Sequence, residues 1–341
     1  MPSNHAAWIT EAKKVPLEVK EAPLWTPKEN EVLIKNHAIA INPVDGSVQQ
    51  FAYLPLEYPS ILGSDVAGEV VAVGPNVTRW KEGDRIIGHG LVLWNLKPEG
   101  AAFQNYTIVT TNMASEIPAN VTFEDAVVLP LCLSTASTGL FHENYLRLQL
   151  PTFPVQKPIG KTLVIWGGAS CVGSNGIQLA KAAGYDVITT ASPKNFEYVK
   201  SLGADVVFDY NSATIAEDIL GALKLKGETL AGILDCIGFS ATPHCLEIAQ
   251  KSEGHKFVAT TKPRFPTPPE GVEVKHIRGD LLVTNSLGKS IYEDFLPNAL
   301  EAGSYVVAPK PTVIGKGLEH IQAGIDAIMK GVSATKIVVT L

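Results

Sequence analysis

The 341-residue chain lacks the features that would tie it to a membrane or to nucleic acid. No apolar run approaches the roughly 18 residues that a spanning helix needs. Lys and Arg number 28 against 34 Asp and Glu, a net charge of -6 with no basic stripe. That balance argues against a phosphate backbone or an anionic surface as partner. Cysteine is scarce. The four residues Cys132, Cys171, Cys236 and Cys245 form no CxxC pair and no metal-like cluster with histidine. The opening "MPSNHAAWITEAKK" has neither the apolar core nor the small-residue cleavage site of a secretory leader, so the expected location is the cytoplasm. Cys236 and Cys245 then read as buried thiols rather than a disulfide. What remains is a globular composition, 45% hydrophobic and 18% charged, on a chain long enough for two cores.

Up to about residue 125 the pattern is that of strands. "EVLIKNHAIAI" is β-branched and alternating, "VAGEVVAVG" is bounded by glycine, and "GDRIIGHG" is a turn followed by a strand. Pro and Gly punctuate this region as a barrel-like module requires. Beyond it, strands and helices alternate: "KTLVIWG", "NGIQLAKAAG", "YDVITTA", "KNFEYVKSLG", "DVVFDY", "TIAEDILGALK", "LAGILDCIG", "TPHCLEIAQK" and "HKFVATT". Parallel strands need crossover helices, so this alternation predicts a doubly wound parallel sheet. "KPRFPTPPEG" is incompatible with a central strand, "LEHIQAGIDAIMKG" is an amphipathic helix, and "TKIVVTL" a last strand.

"VIWGGASCVG" closes one of those strands and opens a helix, the setting in which a glycine loop approaches a pyrophosphate. Gly168 and Gly173 stand as its first and last glycines, and Ser170 replaces the middle one. A small residue still admits the pyrophosphate there, a hydroxyl can donate to it, and helix N-terminal amides supply the rest. An acid about 20 residues on would select NAD through the ribose 2′-hydroxyl. The next strand instead ends "TTASPKN", with no carboxylate at 189–195. Ser192 offers a hydroxyl and Lys194 a charge to a 2′-phosphate, and Tyr210 closes the third strand. NADPH is the expected cofactor.

Ahead of this unit lie "NPVDG" at 42–46, "ILGSDVAGEVVAVG" at 61–74 and "GDRI" at 83–86. Over essentially its whole length the sequence resembles the medium-chain dehydrogenase/reductase superfamily. That resemblance implies an α/β architecture: a GroES-like β-barrel domain over 1–126, a Rossmann NADPH-binding domain over 127–300, and a return to the barrel over 301–341. Zinc alcohol dehydrogenases of the superfamily hold their metal with a cysteine and a histidine where this chain has Asn42 and Ser64, and Cys132 would be left alone. Zinc would want three protein ligands and an open position. No metal is expected. Zinc-free branches, the quinone oxidoreductases and enoyl thioester reductases, look like "NPVD" followed eight residues after the Asp by a tyrosine, here Tyr53. That resemblance implies a proton donor or carbonyl anchor at Tyr53, with Tyr58 as a competing aromatic.

"VLPLCLSTASTGLF", "TTASPKNFEYVKSLGADVVFDY", "LDCIG" and "PTVIGKGLEHIQAGIDAIMKG" resemble the fungal trans-acting enoyl reductases of polyketide pathways. By that analogy Ser192, Lys194 and Tyr210 bind the 2′-phosphate and Thr135 lies near the nicotinamide or the substrate carbonyl. Asn42, Cys171, Val172 and Ile237 count among the cofactor-binding positions with Gly168, Ser170 and Gly173. A lysine that several polyketide reductases carry two residues after the "NPVD" Asp is Ser47 here. Asp45 reads as a cap after Pro43, His89 as a lesser acid/base candidate, and Trp94, Phe103 and Tyr106 as pocket lining or barrel core. The expected reaction is hydride transfer from NADPH to an activated C=C bond of an enone, enoyl or quinone substrate, without zinc. The alternatives are a carbonyl or alcohol oxidoreductase and a non-catalytic NADPH-binding protein of crystallin or scaffold type. An acyl-carrier or synthase partner and a monomeric or homodimeric state are compatible with the pattern.

Overall fold

The computed structural model describes residues 3–227 and 229–341. The chain divides into two compact units. The first comprises Met1–Leu131, Tyr292–Glu301 and Val307–Leu341, the second Cys132–Ile291 and Ala302–Val306.

In the first unit, β1 (Asn4–Ile9), β2 (Glu18–Ala22) and β4 (Ser60–Ile61) make a three-stranded sheet in the order β2-β1-β4. A larger sheet is built from β3 (Glu31–Ile41), β5 (Asp65–Val73), β6 (Arg85–His89), β7 (Tyr106–Thr110) and β8 (Ala114–Glu116). Two strands from the C-terminal part join it, β15 (Pro311–Lys316) and β16 (Lys336–Thr340). Its order is β15-β16-β3-β5-β6-β8, with β7 also on β3. β3 is the long central member because its apolar positions recur along eleven residues, with Lys35 alone fully exposed. The β3–β5 register slips between Leu33 and Ile34 and again between Asn36 and Ala38. Such bulges bend a strand and tighten its twist, as closing a barrel-like sheet demands. Gly68 lies opposite this irregularity, and a Cβ on it would collide with the Lys35 carbonyl. Phe103 and Tyr106 are buried in this unit, and Trp94 is partly exposed.

The helix Pro43–Phe51 interrupts the strands of this unit, and the sequence marks only its start, with Asp45 as the cap of a turn or helix after Pro43. Its signals are local. Pro43 begins it, the Asp45 carboxylate accepts the Asn42 backbone N–H at 2.7 Å, and Ala52 ends it in the left-handed region.

The second unit is the doubly wound sheet that the alternation predicts. β9 (Lys161–Trp166), β10 (Asp186–Ala191), β11 (Val206–Asp209), β12 (Thr229–Asp235), β13 (Phe257–Thr260) and β14 (Glu273–His276) are parallel throughout, ordered β11-β10-β9-β12-β13-β14. Helices Cys171–Ala182, Phe196–Ser201, Ile215–Lys226 and Thr242–Lys251 connect the strands. Val164, Ile188, Ile219, Ile233 and Ile248 lie in one of its core clusters. The Pro-rich stretch lies between β13 and β14, outside any strand. Strand order reverses between β9 and β12, the place where such sheets leave a crevice at their carboxyl edge. No described helix is long and apolar enough to cross a membrane.

Two glycines separate packing from propensity. Gly68→Ala is expected to cost roughly 2 kcal/mol or more, because the clash is with backbone that cannot step aside. Gly221, in the helix Ile215–Lys226, has open space around its missing Cβ. Gly221→Ala should stabilise by about 0.5–1 kcal/mol. Urea midpoints of the two variants check both signs.

Candidate functional site

The carboxyl edge of the second unit is organised around the turn from β9 into the helix Cys171–Ala182. Gly167 adopts a left-handed conformation, and Thr190 pins the turn: its hydroxyl accepts the Gly167 N–H at 3.0 Å and its carbonyl the Gly168 N–H at 2.9 Å. Sequence reasoning missed Thr190, since a β-branched residue in a strand reads as packing. Gly173 faces the Gly168 Cα so closely that a Cβ there would stand 2.7 Å from it. The last glycine therefore lets the helix start against the loop.

Ser170 is the N-cap of that helix, and its hydroxyl oxygen accepts the Gly173 N–H at 3.0 Å. One of the amides that an anion would meet is thus already held by the serine, and the Ser170 proton remains to be donated. Cys171 and Val172 form the first turn, half-buried. The Asn175 amide donates to the Cys171 carbonyl at 2.8 Å and accepts the Tyr305 hydroxyl at 2.5 Å. Tyr305 belongs to the five-residue segment 302–306 that joins this unit, and it is buried. Ile237, two residues after β12, lies over Gly167, where a Cβ would come within 2.6 Å of its side chain. Asp235 at the end of β12 accepts from the backbone of Ile237 and Gly238 and from the hydroxyls of Thr242 and Thr260. Four donors fix a fully buried carboxylate and with it the whole turn.

Ser192 follows β10 and Tyr210 follows β11. The parallel register pairs Ala191 with Asp209, so Ser192 and Tyr210 stand side by side at the same edge. Lys194 lies in the short turn Pro193–Asn195, exposed, and Tyr210 is 46% exposed. The three expected 2′-phosphate residues are therefore brought together. Asp209, an acid the sequence reading did not weigh, is turned onto Asn211, accepting its backbone and side-chain amides at 3.0 Å each. Tyr198 ties this corner to the glycine turn, because its hydroxyl shares a 2.8 Å hydrogen bond with Ser174, which donates to the Gly168 carbonyl at 3.2 Å. Burial pushes the Tyr198 phenol up to about 12, so it stays neutral. Thr135 is also in this unit, in the helix Pro130–Phe141, buried against Gly279, where a Cβ would stand 2.7 Å from the Thr135 hydroxyl.

The first unit holds the other candidates. Asn42, expected among the cofactor-binding positions, is fully buried in a charged network. Its amide nitrogen donates to the Asp65 carboxylate at 2.8 Å, and the Lys336 ammonium donates to its amide oxygen and to Asp65, the latter at 2.8 Å. The other Asp65 oxygen accepts the Leu131 N–H at 2.6 Å. Lys336 is 1% exposed and Asp65 0%. Sequence reasoning missed both. Asp45 is buried beside them, and its carboxyl is pushed up to about 7, first by loss of water and also by the Asp65 charge, against the pull of the Asn42 N–H and Lys336. Tyr53 lies just beyond the same helix, 54% exposed, its phenol raised by partial burial and then by Asp45. His89 sits opposite Asp65 in the β5–β6 register.

These residues do not fit a zinc ion. Asn42 is engaged by a lysine cation, and the buried Ser64 hydroxyl is a poor ligand. Among the described residues no three His, Cys, Asp or Glu side chains gather to hold a metal.

Residues 28–119 match the alcohol dehydrogenase GroES-like domain and residues 171–295 the zinc-binding dehydrogenase family. A zinc-binding alcohol dehydrogenase domain-containing protein of Emericella nidulans is 54% identical over 339 residues, 99% of this chain and 98% of its own. A trans-enoyl reductase of Aspergillus japonicus is 39% identical over 343 residues, 99% of this chain and 97% of its own. Among solved structures, the Escherichia coli quinone oxidoreductase complexed with NADPH aligns over 100% of both chains with a TM-score of 0.74 at 20% identity, a likeness of fold.

The Asp45 carboxyl makes stability depend on pH in a particular direction. Its ordinary value is 3.8 and its folded value about 7. Between these the native state keeps a proton that the unfolded chain has released. Stability should fall as pH rises from about 4 to 7, by at most about 1.4 kcal/mol per pH unit, and level off above. Asp45→Asn, which still accepts the Asn42 N–H, should remove that fall in a comparison of unfolding midpoints across pH. Equal slopes in both proteins would contradict the assignment.

Proposed function

The chain belongs to the medium-chain dehydrogenase/reductase superfamily, and within it we propose a zinc-independent, NADPH-dependent reductase of activated C=C bonds in enoyl, enone or quinone substrates. One observation carries the metal-free part of this reading. The buried Lys336 cation is bonded to Asn42, which stands where a zinc enzyme has its cysteine ligand, and to Asp65. A donor set that does not fit zinc disfavours alcohol oxidation, which needs a strong Lewis acid or a replacement for it. The trans-enoyl reductase among the relatives supports an alkene as substrate.

Ser192, Lys194 and Tyr210 support NADPH, since they offer two hydroxyls and an ammonium at one edge while Asp209 is turned to Asn211. The 171–182 helix N-terminus and the Ser170 proton would hold the pyrophosphate. Bound there, the nicotinamide supplies the hydride. The protein's own task is to stabilise the enolate charge and return a proton. Tyr53 is suited to donating, because its raised phenol stays protonated through the neutral range. Thr135, braced by Gly279, is the second proposed hydroxyl donor. A single such donor lowers a barrier by roughly 3 kcal/mol.

Enones, enoyl thioesters, quinones and aldehydes should be offered with NADPH while absorbance of the reduced nicotinamide is followed. The expected outcome is turnover of alkenes or quinones, a preference for NADPH over NADH of at least about tenfold, and loss of that preference in a Ser192→Ala/Lys194→Ala variant. Turnover of aldehydes alone would refute the reading, and absence of all turnover would favour a non-catalytic binding protein.

A further inference from the structure

The 2′-phosphate corner lies on the β10–β11 side of the point where strand order reverses. A second cationic group stands on the opposite side, and the cofactor reading leaves it unused. Lys262 follows β13 by two residues, and the Thr261 N–H bonds the Asp235 carbonyl at 2.9 Å, which places Lys262 at the carboxyl edge beside the β12 turn. Its stem crosses Gly238, left-handed at φ +74, where a Cβ would fall on the lysine carbons. Its ammonium sits 5.7 Å from the centroid of the Phe239 ring, which is 61% exposed. No carboxylate among the described residues pairs with Lys262 within ion-pair distance. A ring face holds a cation in place without neutralising it.

Two more basic groups meet it from β14. His276 hydrogen-bonds the Thr261 backbone, and the positive charges of Arg278 and Lys262 both act on its ring, whose basicity is lowered first by burial. Arg278 is held at 2.8 and 3.2 Å by Asp280, and the nearby Asp235 carboxylate is buried and already accepts from four donors. Arg278 is thus paired with Asp280 and the Asp235 carboxylate is taken up by its own turn, so the Lys262 ammonium keeps no ion-pair partner among the described residues. A preformed, uncompensated cation at the carboxyl edge of a doubly wound sheet is placed to receive an anion.

We propose that Lys262, with Arg278 and His276, forms a second anion subsite that takes a phosphate carried on the tail of the substrate. This rests on the alkene-reductase reading, under which the common phosphate-bearing tail is the pantetheine arm of an enoyl thioester. That arm comes either from coenzyme A or from a carrier protein, and both present the same phosphate.

The test is direct binding to the cofactor-loaded protein by calorimetry, with pantetheine, 4′-phosphopantetheine and coenzyme A as probes. Phosphopantetheine is expected to bind about tenfold more tightly than pantetheine, an advantage lost in Lys262→Gln and restored in Lys262→Arg. Coenzyme A binding as tightly as phosphopantetheine would assign the tail to coenzyme A esters. Its exclusion would assign it to a carrier-borne arm. Equal affinity for pantetheine with and without phosphate, or an advantage that survives Lys262→Gln, would overturn the proposal. Because binding is read without turnover, a protein that binds phosphopantetheine yet reduces no alkene would refute the reductase reading alone.

Discussion

The Lys336 ammonium and the Asp65 carboxylate meet at 2.8 Å with almost no exposure to water, and Asn42 closes the group by bonding to both. Taking two charges out of water costs several kcal/mol per ion, and only good geometry with further hydrogen bonds recovers it. Both conditions hold. Asp65 receives an ammonium, an amide and the Leu131 N–H, so neither carboxylate oxygen is orphaned. The pair draws together the first residue of β16, the first residue of β5 and the residue that starts the helix Pro43–Phe51. Removing one partner would leave a buried, unmatched charge, a loss of about 3–5 kcal/mol. The same charges decide the chemistry of this unit. The Asp65 charge raises the Asp45 carboxyl while Lys336 pulls it down, and the Lys336 bond to the Asn42 amide oxygen leaves that group unfit for a metal.

The second unit solves a related problem with hydrogen bonds alone. Its carboxyl edge carries a buried acid, Asp235, saturated by four donors, and a turn pinned by Thr190. Rigid turns cost nothing to reorganise when a ligand arrives, which is what preorganised binding requires. The groups proposed to meet anions on either side of this edge differ in how they are held. Lys194 and Tyr210 are exposed, and Ser192, half-buried, accepts from Asn195 through both its hydroxyl and its carbonyl. Lys262 is fixed by a glycine and an aromatic ring.

Much of the fold was legible because its signals are local. Alternation in "EVLIKNHAIAI" marks β3, and the strand–glycine–helix order of "VIWGGASCVG" marks the turn after β9. The body of the helix Pro43–Phe51 was hidden by its brevity and by Gly46, although Pro43 and Asp45 are ordinary start signals. Ser170 was read as a pyrophosphate contact, and the structure adds that it caps its own helix. Lys336 was illegible for a physical reason. A lysine at the start of "TKIVVTL" reads as solvated, and its partner Asn42 lies 294 residues away, at a separation no periodicity reports. The two groups of candidate site residues, Asn42 and Tyr53 in one unit and the glycine turn in the other, are each marked by a motif, but their hydrogen bonding is not.

The central claim is that a hydride reaches carbon across an activated double bond without a metal. Chelator-treated protein, given NADPH deuterated at nicotinamide C4 and an enoyl thioester, tests it by the position of the label in the product. Metal-free reduction of the alkene puts deuterium on the β-carbon of a saturated thioester, with full activity after chelation. Deuterium on a carbinol carbon, or activity that returns only with added zinc, would contradict it.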